Sequence, residues 1–396
     1  RQNYVWGRKI KYGNEREKQN MLMWYVILGI VIISAGAGLI YLSDRVARFG
    51  FMKMFDRNGN NAQCRKTAGF VLILLIFAAL SLTINLVNAV VCLLHFVCIW
   101  LLCDLVFYLV GHFRRQSFKY YYAGIAAILL SCAALGLGWY LNHHVWTTSY
   151  TVVSEKAGQK LRIVQFADSH IGTTFGSKGF ERHVRKIQEL NPDIVLIVGD
   201  FVDDGTTREE MVSACRSLGT LKTKYGVYFA FGNHDKGYHA PEVRGFTGNE
   251  LIAELEKNNI RVLQDKTVLI DNTYYVVGRR DFSEIQRGGF RADMEELVSG
   301  LDKNKFIIVM DHQPNDYEKE AKARVDLVLS GHTHGGQLFP LNKVGEWIGA
   351  NDKTYGIERR GQTNFVVTSG LSDWAIRFKT GTKSELVVID IMHSDN

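Results

Sequence analysis

Asp168, His170, Asp200, Asn233, His312, His332 and His334 are residues of metal-ligand type, and each follows closely on a short apolar run of the chain. Imidazole nitrogen combined with carboxylate or amide oxygen suits borderline divalent ions such as Mn, Fe or Zn better than Ca or Mg, which prefer all-oxygen shells. Seven such groups exceed the needs of one ion. A pair of ions about 4 Å apart could share one carboxylate, polarise phosphoryl oxygens and hold a hydroxide nucleophile between them. Hydrolysis of a phosphate ester is the reaction this arrangement suits.

The elements that must position these groups are legible as apolar, β-branched runs. Leu161 to Phe166 stops just before Asp168, Ile194 to Val198 before Asp200, Val227 to Phe231 before Asn233, Phe306 to Met310 before His312, and Val325 to Leu329 before His332. Loops at the carboxyl ends of strands that run alike converge on one crevice, so distant residues can meet there. Lys178 to Leu190 and Arg208 to Leu218 have helical spacing and read as crossover helices, the first stopped by Asn191-Pro192. The result is an α/β domain. Asn364 to Thr368 and Leu386 to Ile391 are expected as further strands, in a second sheet.

Five blocks occur in order: Asp168-Ser169-His170, Gly199-Asp200-Phe201-Val202-Asp203, Gly232-Asn233-His234-Asp235, His312, and Gly331-His332-Thr333-His334. Any one is weak alone, but the ordered set resembles the calcineurin-like metallophosphoesterase family. The resemblance implies a two-sheet β-sandwich flanked by helices. It also implies two divalent ions, Mn first with Fe or Zn as alternatives. Asp168, His170 and His334 would hold one ion, Asn233, His312 and His332 the other, and Asp200 would bridge. His234 would be the acid that protonates the departing oxygen, with Asp235 placed to orient it and Asp203 supporting the ligands from behind. Gly199, Gly232, Gly331, Gly335 and Gly336 would allow tight turns and close approach of backbone to the site.

Departures from the family narrow the branch. Serine/threonine protein phosphatases carry an arginine where this chain has Asp204, and purple acid phosphatases a tyrosine where it has Thr206. Gly335-Gly336-Gln337 and the stretch Ser369-Gly370-Leu371 through Arg377-Phe378 resemble instead the membrane-associated bacterial branch. That branch includes enzymes of lipid-linked diphosphates such as UDP-diacylglucosamine. Gly381-Thr382-Lys383-Ser384-Glu385 replaces a commoner Cys-Pro-containing segment, and Ser372 replaces a glycine. Arg279, Arg280 and Arg377 are candidates to pair with a substrate phosphate.

Residues 1–145 are of another kind and divide the chain from the phosphoesterase domain at 146–396. Apolar stretches at 21–43, 68–87, 89–111 and 120–141 approach or exceed the ~20 residues that cross a hydrocarbon core, so about four transmembrane helices are expected. Asn85 and Asn88 mark the turn between the second and third. Asp104 and His95 fall within the third, where ionisable groups are costly. The tail before Met21 and the loop from Asp44 to Thr67 each hold six Lys or Arg and cancel as topological signals. Arg114, Arg115 and Lys119 therefore decide orientation, placing their loop in the cytoplasm and the C-terminal domain outside the cell membrane. The same run, Arg114-Arg115-Gln116-Ser117-Phe118-Lys119, has the look of a twin-arginine export signal, which implies the same side. The first residue is Arg1, not Met, which leaves room for residues ahead of it.

The net charge of +7 is largely spent flanking these spans and does not imply nucleic acid. Five of the six cysteines lie in or near the membrane region, leaving Cys215 without a disulfide partner in the other domain. The sequence thus describes a membrane-anchored, metal-dependent phosphoesterase whose partners are the bilayer and a phosphate-ester substrate. Phosphomonoesters, phosphodiesters and diphosphates all remain open as that substrate. A catalytically silent membrane scaffold or sensor is the reading from another class. The intact ligand set speaks against it. A nuclease is a third, disfavoured because no dense basic run is interleaved with aromatics.

Overall fold

The computed structural model describes residues 25–56, 61–116, 118–239 and 241–394. The basic tail, the start of the first expected span at 21–24 and Ser117 lie outside the described residues. The chain divides into two units, 1–135 and 136–396.

Four helices long and apolar enough to cross a membrane come first: α1 (Tyr25–Val46), α2 (Ala62–Ile84), α3 (Leu86–Arg114) and α4 (Tyr122–His143). The break between α2 and α3 falls at Asn85, in the left-handed region at φ 81, whose side chain caps α3 through the Asn88 N–H. Most of the large apolar side chains on these helices face outward, as a lipid-facing surface requires. Asp104 on α3 is partnered in the first unit. It accepts hydrogen bonds from the Tyr41 and Tyr121 hydroxyls at 2.9 and 3.1 Å and pairs with the Arg45 guanidinium at 2.6 Å.

The second unit holds two six-stranded sheets. In chain order its strands are β1 (Trp146–Ser154), β2 (Leu161–Phe166), β3 (Ile194–Val198), β4 (Val227–Ala230), β5 (Ile260–Val262), β6 (Lys266–Ile270), β7 (Tyr274–Gly278), β8 (Phe306–Met310), β9 (Leu327–Ser330), β10 (Gly356–Arg360), β11 (Thr363–Val367) and β12 (Glu385–His393). One sheet has the order β1-β12-β2-β3-β4-β5, the other β10-β11-β9-β8-β7-β6. β2 to β5 run parallel, as do β7, β8, β9 and β11. The facing sides pack Ile163, Leu196, Val198 and Ala230 against Val276, Ile308, Met310 and Leu329 in one buried layer. The expected crossover helices are α5 (Ser177–Glu189) and α6 (Arg208–Leu218), and both bury an apolar stripe on the outer face of the first sheet. α6 begins with a capping box, Thr207 and Glu210 exchanging side-chain and backbone hydrogen bonds.

One strand corrects the sequence reading. The run around Leu386 to Ile391 belongs to the first sheet, not the second, lying antiparallel to β2 and parallel to β1. Its continuous burial gave no clue to its neighbours, because a strand covered on both faces reads alike in either sheet.

Candidate metal centre

The parallel strands bring their carboxyl ends to one place, and the chain there turns sharply. Asp168, His170, Asp200, His332 and His334 all sit at positive φ, between 36 and 69°. Non-glycine residues seldom adopt this region, and where they cluster in it the surrounding structure is holding them for function. The turns also need glycine close by. A Cβ on Gly232 would stand 2.2 Å from Asp200 Oδ1, and one on Gly331 2.6 Å from Asp168 Oδ2. Any side chain at either position would displace a carboxylate.

Three donor groups result, each with its ligand atoms within 4.8 Å of one another: Asp168, His170 and His334; His170, Asp203 and His234; and Asp200, His312 and His332. Asp200 Oδ2 lies 3.7 Å from His170 Nε2 and 3.0 Å from His312 Nε2, so it stands between the first group and the third. Asp168 Oδ1 lies 3.9 Å from His334 Nε2 and 4.0 Å from His312 Nε2. Asn233 joins the third group through its Oδ1, 2.9 Å from His332 Nδ1. Its amide nitrogen donates to the Tyr238 hydroxyl at 2.7 Å. His312 directs Nδ1 to the Val198 carbonyl at 2.7 Å, leaving Nε2 for the carboxylates.

Both ring nitrogens of His170 and Nε2 of His312 are buried without a hydrogen-bond partner. They lie near carboxylate oxygens without the alignment a hydrogen bond needs. Buried polar atoms are rarely left so. Imidazole lone pairs and carboxylates converging on a common gap are the donor set a divalent cation completes, and these residues fit one.

Without a cation the acids and imidazoles charge one another. Burial opposes the charged form of His312, but Asp200 and Asp168 outweigh it and hold the ring well above its ordinary range. Burial likewise opposes ionisation of Asp200 and Asp203, yet His312 and its neighbours hold the former well below the usual carboxylate range, and His170 and His234 do the same for the latter. His332 goes the other way, pushed down to about 3 by burial and by His312.

His234 stands beside the cluster, its ring 4.9 Å from that of His170. Its Nδ1 is 3.0 Å from Asp203 Oδ1, and burial is outweighed by Asp203 and Asp200 in raising its pKa. Asp235, expected to orient this histidine, does not. Its carboxylate accepts the backbone N–H groups of Asp200, Phe201, Val202 and Gly232, and so ties the second block's turn to the third's. Two residues separate a role in orienting a side chain from one in shaping a turn, and spacing along the chain does not choose between Asp203 and Asp235.

The three arginines are dispersed. Arg279 is buried, donating to Asp311 at 3.0 Å and pairing with Asp316 at 2.8 Å. That use of its guanidinium corrects the expectation that it meets a substrate phosphate. Arg280 donates to the Phe290 carbonyl at 3.2 Å and lies 3.8 Å from Asp265. Arg377 is exposed on the segment after β11.

That segment holds residues the sequence did not single out. Asp373 is buried 3.4 Å from His334 Nδ1, and the buried Lys379 ammonium donates to the Ser369 carbonyl at 2.6 Å with Asp373 3.5 Å away. Arg287 donates to the Asn233 carbonyl at 2.8 Å, and the exposed rings of Tyr238 and Trp374 stand 4.9 and 5.6 Å from that of His234. No motif carries these residues. Only their placement marks them.

A calcineurin-like phosphoesterase signature matches residues 161–336, from β2 to just past His334. A transmembrane protein with metallophosphoesterase domain from Danio rerio is 34% identical over 239 residues, covering 58% of this chain and 52% of its own. An uncharacterized metallophosphoesterase of Aquifex aeolicus is 32% identical over 195 residues, 48% of this chain and 70% of its own. Another, from Bacillus subtilis, is 27% identical over 300 residues, 70% of this chain and 97% of its own. Fold, signature and relatives agree: the chain belongs to the calcineurin-like metallophosphoesterase family, and carries four membrane-capable helices ahead of the family domain. It spans about half the length of the Danio rerio and Bos taurus relatives it matches.

Proposed function

We propose that this chain is a membrane-anchored, binuclear-metal phosphoesterase that hydrolyses a phosphodiester, phosphomonoester or diphosphate at the bilayer surface. A lipid headgroup or lipid-linked diphosphate, of which UDP-diacylglucosamine is one, is the substrate class. The observation that carries the chemistry is the pair of donor groups on either side of Asp200, with buried imidazole nitrogens left unpartnered between them. The four helices motivate the lipid substrate. The basic loop before α4 favours an extracytoplasmic domain in the cell membrane.

Asp168, His170 and His334 would hold one ion and Asn233, His312 and His332 the other, with Asp200 between them. Mn is the first choice, Fe or Zn the alternatives. Bound there, divalent ions would supply the positive charge that polarises a phosphoryl group and makes water acidic enough to react. His234 then has a separate task. With Nδ1–H held by Asp203, its Nε2 is free to carry a proton to the departing oxygen. Asp235 acts through the backbone, keeping the turn that carries Asp200 against the turn that carries Asn233.

The purified full chain loaded with Mn is expected to bind close to two ions and to hydrolyse bis-p-nitrophenyl phosphate, p-nitrophenyl phosphate or a member of a lipid diphosphate panel. Full metal occupancy with no turnover of any of these would overturn the assignment and favour a silent scaffold.

A further inference from the structure

Just beyond His334 the chain makes an excursion that the chemistry above does not use. Phe339, Leu341, Trp347 and Ile348 project from it, 65, 62, 72 and 52% exposed. Single exposed apolar residues are ordinary on a protein surface, but four large ones within ten positions imply that something covers them.

What holds the excursion identifies its cover. The Phe339 N–H donates to the Thr380 hydroxyl at 3.1 Å, and the N–H groups of Thr380 and Gly381 donate to the Gln337 carbonyl at 2.9 and 3.0 Å. One residue earlier, the Lys379 N–H donates to the carbonyl of Gly138 at 3.0 Å, and Ser384 N–H to that of Leu141 at 2.9 Å. Gly138 and Leu141 lie in the last turns of α4, the part of that helix that belongs to the second unit. A Cβ on Gly138 would come within 2.9 Å of the Thr380 methyl group, so the absence of a side chain there lets the two backbones meet. The apolar excursion is thus joined, through Thr380 and Lys379, to the end of a helix with the length and apolarity of a membrane span.

Its level in a bilayer follows from helix geometry. The 22 residues of α4 rise about 33 Å, against a hydrocarbon core of about 30 Å. Gly138, five residues from the end at His143, is therefore about 7.5 Å short of it, in the outermost ~6 Å of the hydrocarbon beneath the boundary with the headgroups. Trp139 and Tyr140 on the same turn are 52 and 46% exposed, the residue types that settle at that boundary.

We infer that residues 338–348 form an interfacial anchor, with Phe339, Leu341, Trp347 and Ile348 seated in the headgroup region of the bilayer that α4 crosses. The occupant of this surface is lipid. The inference rests on the membrane-anchored reading above and deepens it: an anchor that begins four residues after His334 brings the metal centre to the bilayer surface, where a lipid-borne phosphate is presented without leaving its leaflet.

Tryptophan emission of the full chain in phosphatidylcholine/phosphatidylglycerol nanodiscs tests this, with Trp347→Phe subtracted so that the difference reports Trp347 alone. Lipids brominated near the headgroup are expected to remove at least half of that difference signal, and aqueous iodide to leave it nearly intact. The reverse pattern, quenching by iodide and none by bromine, would overturn the anchor. So would protection from both, which would mean that protein or a second copy of the chain covers the residue. Phe339→Trp in the Trp347→Phe background repeats the measurement at the other end of the excursion and must give the same result. No turnover is needed, so the two readings fail separately: quenching without lipid hydrolysis removes only the lipid substrate, and lipid hydrolysis without quenching removes only the anchor.

Discussion

Asp311 and His312 are neighbours at the end of β8, and their side chains enter two different buried charge clusters. Asp311 meets the guanidinium groups of Arg279 and Arg291, with Asp316 and Glu320 completing the set. His312 meets Asp200 and Asp168 and keeps an unpartnered Nε2. Both clusters are largely buried. In the first, long forked cations supply the compensating charge from within the chain, so it is a structural knot that holds β7, β8 and the segments around them. In the second, Asp168 and Asp200 face imidazoles, whose charge is conditional, and the donors converge without satisfying one another. Burial and charge density therefore do not identify a functional site by themselves. The difference lies in whether the chain brings its own permanent cation.

Four perturbations test this contrast. Asp200→Asn keeps the shape and removes the charge between the two donor groups. It is expected to lower turnover by about three orders of magnitude or more and to bring bound metal below two ions per chain, read by elemental analysis beside kcat. Retention of both ions and of full activity would remove Asp200 from the shared position. Arg279→Met strikes the other cluster and leaves Asp311 and Asp316 short of a buried cation, at a cost of about 3–5 kcal/mol. Thermal unfolding in detergent should show it as a marked fall in Tm, with metal content per folded chain unchanged. A loss of metal at full Tm would show that the knot and the metal centre are one unit.

His234→Ala separates proton delivery from ion binding. A loss of about a hundredfold in kcat, with metal stoichiometry intact, is expected, and a smaller loss on esters whose leaving group needs no proton. An unchanged rate would assign the acid elsewhere.

The smallest effect concerns His183 on α5, an imidazole with no carboxylate partner among the described residues. Burial, with Arg182 and Lys186 nearby, pushes its pKa down to about 4, the reverse of what Asp200 and Asp168 do for His312. The unfolded chain, with an imidazole pKa near ~6.5, binds the extra proton first. Stability from the neutral ring is thus complete above about pH 6.5 and is lost as pH falls toward about 4, by about 1–2 kcal/mol once solvent screening is allowed for. His183→Gln should flatten the fall in Tm between about pH 7.5 and 5. Parallel slopes for the two proteins would show that His183 titrates freely.

Much of this was legible in residue order. Five apolar runs, each stopping just short of a metal-type side chain, announced both the α/β domain and the crevice, because strand ends and their loops are local features of a sequence. The four apolar helices were legible for the same reason, since crossing a bilayer is a matter of length and composition. Less was visible wherever a residue's role depends on what lies across a gap. Leu386 to Ile391 could be read as a strand but not assigned to its sheet. Asp203, expected behind the ligands and found against His170, also took the part expected of Asp235: it meets the ring of His234, while Asp235 meets four backbone N–H groups. Arg279 looked available for a phosphate until its acids were seen around it.

The sequence by itself therefore determined which atoms could bind metal, their order, and the presence of a membrane-capable region. Residue type fixes the first, hydrophobic periodicity the second, and uninterrupted apolar length the third. Tertiary structure alone decided which side of each loop those atoms face, which charges are already neutralised, and that Lys379 and Thr380 join the last turns of α4 to the apolar excursion after His334. Those outcomes arise from pairings between residues far apart in the chain, whose geometry is set by the packing of two sheets and not by any local pattern.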